Sequence, residues 1–136
     1  MDWITFVGSG EPTLHASLGW MIREVKKLAS LPVAVITNGS LLHRPEVREE
    51  IRVADAVLPT LDAGSAELYR RINRPLPEFS FSDHVAGLEA FRRDYAGQLW
   101  VETMLISGVN DGEEALRDLA DVLRRIGADA VHLNTP

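Results

Sequence analysis

The run FVGSGEPTL at residues 6–14 places two glycines, a serine and a carboxylate directly behind an apolar segment. Gly8 and Gly10 permit positive φ and let a ligand approach the backbone closely. With Ser9 between them they have the look of a phosphate cradle at a helix N-terminus. Glu11 argues against phosphate, because two anions repel unless a cation lies between them. The nucleotide fingerprints fail as well: no third glycine completes G-x-G-x-x-G, and no Gly-Lys-Ser/Thr follows. A carboxylate beside open backbone suits an ammonium group, and the backbone edges suit a neighbouring carboxylate or amide. An α-amino acid carries both. The competing role for Glu11 is local, favouring a helix start through the macrodipole.

Four further stretches end an apolar run in small or polar residues: Thr37-Asn38-Gly39-Ser40, Thr60 to Asp62, Ser107 to Asp111, and Asn134-Thr135. Each is an ordinary turn or cap sequence when taken alone. Five such ends on one rim of a parallel sheet converge as ligand sites do. Arg70, Arg71 and Arg74 form a second cluster, able to clamp an anion or simply to complement a helix C-terminus. Glu102 stands in an apolar run, and alternation groups it with Trp100 and Met104 without deciding which face they share. Facing inward, it would be a desolvated carboxylate and a functional candidate.

The elements needed to position these residues are legible from periodicity. Apolar, β-branched runs at 3–7, 33–37, 56–61, 99–106 and 130–133 predict strands. Between them, 18–29, 45–52, 65–72, 82–95 and 113–127 predict helices. Leu18, Met21, Ile22, Val25, Leu28 and Ala29 share one face of the first. The stripe of the last is Leu116, Leu119, Ala120, Leu123 and Ile126, with Gly127 as its stop. Ser65 is an expected N-cap, and Asn110 to Glu113 has the form of a capping box. Residues 73–81, with Pro75 and Pro77, predict a loop. Strand and helix alternate, so the expected fold class is α/β, with parallel strands joined by right-handed crossover helices. The chain opens on a strand and stops just after another. It therefore reads as a single domain over 1–136 cut from a longer α/β protein, with exposed strand edges that promote self-association.

Composition limits the remaining classes. The chain has 136 residues, 46% of them hydrophobic, enough for one domain with a core. A net charge of −6 argues against an electrostatic nucleic-acid or membrane-surface binder. The four histidines, His15, His43, His84 and His132, show no metal-ligand spacing. There is no cysteine, so this chain by itself offers no disulfide, zinc-thiolate or iron–sulfur ligand. No signal peptide or membrane-spanning run is visible, and a cytoplasmic location is expected.

FVGSGEPTL resembles the glycine–glycine–glutamate motif of the radical S-adenosylmethionine (SAM) superfamily. The likeness continues in VITNGSLL (35–42), VLPTLDAGSAELYRRINRP (57–75), VETMLISGVND (101–111) and VHLNTP (131–136), in the family's order. It is strongest toward pyruvate formate-lyase activating enzymes and wyosine-type tRNA modification enzymes. The resemblance implies about five of the six strands of a partial (β/α)6 barrel that binds SAM and a 4Fe-4S cluster. In that family, cleavage of SAM yields a 5′-deoxyadenosyl radical that abstracts hydrogen from substrate. By position, Gly8, Ser9, Gly10 and Glu11 would meet the methionine amino group. Thr37, Asn38 and Asp62 would lie near the ribose or methionine carboxylate, and Leu105 and Asn134 near adenine. The family's three-cysteine loop follows its first strand and has no counterpart here. The cluster therefore belongs to the parent protein alone, and this chain by itself is expected to be inactive.

No catalytic residue and no metal ligand is assigned in this chain. The substrate stays open among a small molecule, a glycyl-radical protein partner and tRNA, and no membrane partner is expected. Two other classes fit the same residues. One is a different βα-barrel lyase or isomerase using Glu11, Asp62 and Glu102 for acid–base or metal work. The other is a non-catalytic module that keeps a SAM pocket.

Overall fold

The computed structural model describes residues 2–136. Five strands, β1 (Ile4–Phe6), β2 (Val33–Thr37), β3 (Ala56–Pro59), β4 (Gln98–Met104) and β5 (Ala130–Asn134), form one parallel sheet in the order β1-β2-β3-β4-β5. Five helices make the crossovers: α1 (Leu18–Leu28), α2 (Pro45–Ile51), α3 (Ala66–Asn73), α4 (Phe81–Asp94) and α5 (Glu113–Ile126). A short 3₁₀ turn at Pro12–Leu14 precedes α1. The strands and helices thus follow the expected order, with ends shifted by one or two residues.

One face of the sheet is covered by the helices. Val33, Val35, Val57, Leu99 and Val101 point into that layer with Ile22, Leu42, Leu88 and Phe91, and all are essentially fully buried. The parallel register sets the opposite face: Thr5 aligns with Ala34, and Ala34 with Ala56. Trp100, Glu102 and Met104 share that face on β4. Trp3, at the same parity as Thr5, meets Trp100 edge to face with ring centroids 5.3 Å apart. Neighbouring strands lie about 4.8 Å apart, so β1 and β4 would be separated by about 14 Å in a flat sheet. The ring contact therefore shows that the sheet curls, with Trp3 and Trp100 closing the floor of the concave side. His132 on β5 stands one layer above, its ring 5.9 Å from that of Trp100.

Two aspartates pin the start of the sheet. Asp55 accepts from the Val33 N–H at 2.8 Å and from Lys26 Nζ at 2.9 Å. Asp129 accepts from the Leu99 N–H at 2.8 Å and from Arg92 at 2.7 Å. Each precedes a strand and holds the first residues of the strand beside it, so a carboxylate one position before β3 and β5 helps set the register. The Leu99 N–H, followed by the Arg92 guanidinium, holds the Asp129 carboxyl below its usual range.

Ser65 caps α3, accepting from the Leu68 N–H at 3.3 Å, and Gly127 ends α5 at φ 75°. Three expectations are corrected. The capping box at 110–113 does not form: Gly112 occupies the N-cap of α5, and the Asn110 side chain turns inward to the end of β4. Leu28 lies outside the apolar stripe of α1 and is 88% exposed, whereas Val25 and Ala29 in the same turn are half-buried. Gly8 and Gly10 do not use positive φ; the glycines that do are Gly39, Gly108 and Gly127.

Gly64 is required by close approach. A Cβ there would lie 2.2 Å from the Leu119 nitrogen and 2.3 Å from the Asp118 carbonyl carbon. Backbone cannot yield as a flexible side chain would, so Gly64→Ala has to push α5 off the turn after β3. Urea unfolding is expected to show a loss of about 1–3 kcal/mol, the usual cost of overpacking. An unchanged midpoint would contradict the packing of α5 against this turn.

Candidate functional site

The C-terminal ends of β1, β2, β3 and β4 meet through side chains rather than through strand pairing alone. At the first two, Glu11 is the link. Its Oε1 accepts from Thr13 Oγ1 at 2.7 Å, from Thr37 Oγ1 at 2.5 Å and from the Thr13 N–H at 3.2 Å. Its Oε2 accepts from the Asn38 N–H at 2.7 Å. Thr13 and Thr37 are buried, while Glu11 is half-buried. A carboxylate offers about four acceptor positions. Oε1 is saturated by its three donors, and Oε2 keeps one position free.

The donors are themselves fixed. Thr37 Oγ1 accepts from the Gly39 N–H at 3.0 Å while donating to Glu11, so both of its uses lie inside the protein. Asn38 Oδ1 accepts from the Ser40 N–H at 2.9 Å, which leaves the Asn38 amide nitrogen exposed on the rim. Gly8, Ser9 and Gly10 are exposed, and a Cβ at Gly10 would meet nothing within 4 Å. The glycine turn is open to a ligand because space surrounds it, not because its φ is unusual. It borders a groove of about 300 Å³ that also touches Glu11, His15 and Met21.

A second knot joins β3 to β4. Asp62 Oδ1 accepts from the Met104 N–H at 2.8 Å. The Asn110 amide nitrogen donates to the Asp62 carbonyl at 2.8 Å and to the Met104 carbonyl at 2.9 Å, while its oxygen accepts from the Ile106 N–H at 2.7 Å. Asn110, 2% exposed, is the residue that holds the loop after β4 in place. Thr103 Oγ1 adds a bond to the Leu61 carbonyl at 2.7 Å. Leu105 is half-buried, its N–H donating to the Asn134 carbonyl at 2.8 Å, and the Asn134 side chain is exposed at the end of β5.

Glu102 is now placed. It stands on the concave face, half-buried, level with Thr60 on one side and His132 on the other, and one layer above Trp100. Arg70, Arg71 and Arg74 lie outside this site; they are exposed at the end of α3, and Arg74 ends the helix at φ 46°. Among the described residues no three histidine, cysteine, aspartate or glutamate side chains gather as metal ligands, and no helix is long and apolar enough to cross a membrane.

Against known proteins, residues 3–120 match the family model described as the radical SAM superfamily. This chain belongs to the radical SAM superfamily. It is 43% identical over 135 residues to a protein named GTPase Obg from Brachyspira hyodysenteriae, covering 99% of this chain and 20% of that protein. A UPF0026 protein of Methanocaldococcus jannaschii is 36% identical over 138 residues, covering all of this chain and 42% of the relative. The chain thus spans less than half the length of these two relatives. Among solved structures, a domain of pyruvate-formate lyase-activating enzyme from Bacteroides vulgatus superposes with a TM-score of 0.63. The match covers 98% of both chains at 16% identity, and it confirms the fold of the partial barrel.

Asp62 gives this radical SAM rim a measurable signature. Burial raises its carboxyl pKa, opposed by the bond from the Met104 N–H. The unfolded chain ionises it near 3.8, the folded chain only at higher pH. The folded state therefore binds the proton more tightly, and the resulting stability is present below the unfolded value and lost as pH rises through the folded one. Asp62→Asn keeps an acceptor for the Met104 N–H and removes the titration. Urea unfolding across this range is expected to show the variant gaining on the parent chain as pH rises. A constant difference between the two would contradict the desolvated carboxyl.

Proposed function

We propose that this chain forms the SAM-binding wall of a radical SAM enzyme, in which Glu11 holds the ammonium of the methionine moiety. The observation that carries this is the state of the Glu11 carboxylate, fixed by donors from Thr13, Thr37 and Asn38, with one acceptor position left on Oε2. An ammonium supplies the charge and the N–H donor that this position lacks. The open backbone of Gly8 to Gly10 and the exposed Asn38 amide lie beside it, suited to the methionine carboxylate. Asp62 keeps Oδ2 for a ribose hydroxyl, and Leu105 with the backbone near Asn134 borders the adenine.

When bound, SAM would supply the 5′-deoxyadenosyl group that the radical chemistry of the family uses. The residues here do the holding. Thr13 and Thr37 are positioning residues that orient the carboxylate, and Asn110 positions Asp62 through its carbonyl. Glu102 and His132 line the concave side and face whatever substrate enters it. The 4Fe-4S cluster does not fit this chain's own residues, since there is no thiolate to hold it. In this reading the cluster ligands lie on a part of the parent protein outside these 136 residues.

Calorimetric titration with SAM tests the pocket. Glu11→Gln is expected to weaken binding about 10- to 150-fold, the value of a hydrogen bond to a charged group. Thr13→Val, which removes one strut and keeps the carboxylate, is expected to have a smaller effect. Equal affinity for Glu11→Gln and the parent chain would refute the ammonium site. After anaerobic treatment with iron and sulfide, the chain alone is expected to form no 5′-deoxyadenosine; its appearance would refute the external cluster.

A further inference from the structure

The five strands hold no lysine or arginine, and neither do the turns at 7–17, 60–65 and 105–112 that follow β1, β3 and β4. The turn after β2 ends in Arg44, at the N-cap of α2. Apart from Arg44, every basic side chain lies on a helix or in a loop that follows one. The strands and their turns carry Glu11, Asp62, Glu102 and Asp111 instead. A ligand entering the concave side therefore meets carboxylates, and walls of low dielectric focus such a field. Cations are drawn in and phosphate-rich ligands are repelled.

Glu102 is the carboxylate that faces this space without a partner. Glu11 is braced by internal donors, and Asp62 accepts from the Met104 N–H. Glu102 takes part in none of the seven ion pairs among the described residues, and neither does His132 beside it. Ile36, Leu58 and Trp100, all half-buried, form the layer beneath. Ile36 pairs with Leu58, and the register of β3 with β4 sets Leu58 beside Trp100. Two positions along a strand are about 6.6 Å apart, so one small ligand can touch the carboxylate and the apolar layer together. A hard divalent ion seeks about six oxygen ligands, whereas the layer beneath Glu102 is hydrocarbon and indole. That surroundings suit an organic cation, and an indole face attracts the same sign of charge.

We propose that the concave face takes a substrate bearing an alkylammonium group, with Glu102 as its counter-charge and Ile36, Leu58 and Trp100 against its alkyl part. Partial burial strengthens this pair over an exposed one, because the local dielectric is lower. That the ligand is the enzyme's substrate rests on the reading of the rim as a SAM site; the cation site itself does not.

The test uses the 136-residue chain with ¹⁵N-labelled tryptophan, titrated separately with hexylammonium, 1-hexanol and hexanoate. Physiological ionic strength screens exposed charges more than about 8 Å apart. Hexylammonium is expected to move the Trp100 indole resonance and to leave that of Trp20, exposed on α1, in place. It is expected to bind about 10-fold tighter than 1-hexanol, the lower end for a hydrogen bond to a charged group. Glu102→Gln is expected to bring hexylammonium down to the affinity of 1-hexanol and to leave SAM affinity unchanged. Equal binding of hexylammonium and 1-hexanol by the parent chain would overturn the proposal. So would tighter binding of hexanoate, or a Trp100 resonance that hexylammonium does not move; none of these depends on a variant folding. Loss of SAM affinity in Glu102→Gln with an unchanged urea midpoint would also overturn it, because the carboxylate would then belong to the cofactor site. So would a Trp100 shift lost in Glu11→Gln. Calorimetry of SAM with Glu11→Gln reports on the rim separately, so failure of one site is distinguishable from failure of the other.

Discussion

Four hydrogen bonds converge on one carboxylate, and two of them tie the first βα turn to the second. Glu11 is held by Thr13 within its own turn and by Thr37 and Asn38 across the gap to β2. β1 contributes only three residues to the sheet, so strand pairing alone gives its end little support. The carboxylate supplies the support instead. It also carries a negative charge to a place where the backbone is open and a ligand can reach. The same group thus shapes the rim and gives it its charge, and it can do both because three of the four internal donors crowd onto Oε1 and leave one position on Oε2.

The curl of the sheet does the corresponding work at the other end. Trp3 and Trp100 meet across the concave side and close the floor. The layer above is polar, with Thr60, just past the end of β3, level with Glu102 on β4 and His132 on β5. A closed apolar floor beneath a polar wall and an open rim is the arrangement in which a ligand can be held on several sides. Asp62 and Asn110 complete it by fastening the loop after β4 to β3, so that the second half of the rim keeps its position relative to the first.

Much of this was legible in the residues. Periodicity placed the five strands and the longer helices α1, α4 and α5, because apolar runs and 3.6-residue stripes reflect burial directly. Charge alone singled out Glu11 and argued against a phosphate beside it. What periodicity could not show were contacts between residues distant in the chain. Asn110 looked like a helix cap, yet its partners are Asp62 and Met104, and only the packing of two strands brings them together. Asp55 and Asp129 carry no periodic signal, and their strand-pinning bonds span 22 and 30 positions. The face of Glu102 was undecided by alternation, which gives parity and not direction. His84 passed as one of four scattered histidines. A faint signal existed, since it lies on the apolar stripe of α4 next to Val85, but its missing partner is visible only in three dimensions.

The central claim is that Glu11 Oε2 receives the ammonium of SAM. A double cycle isolates that one contact, pairing Glu11→Gln with a SAM analogue in which hydrogen replaces the amino group. Calorimetric affinities of both ligands for both proteins are required. If the contact exists, Glu11→Gln weakens SAM binding strongly and leaves binding of the deaminated analogue nearly unchanged. If the substitution weakens both ligands by the same factor, Glu11 acts only as a brace between the two turns and the ammonium lies elsewhere.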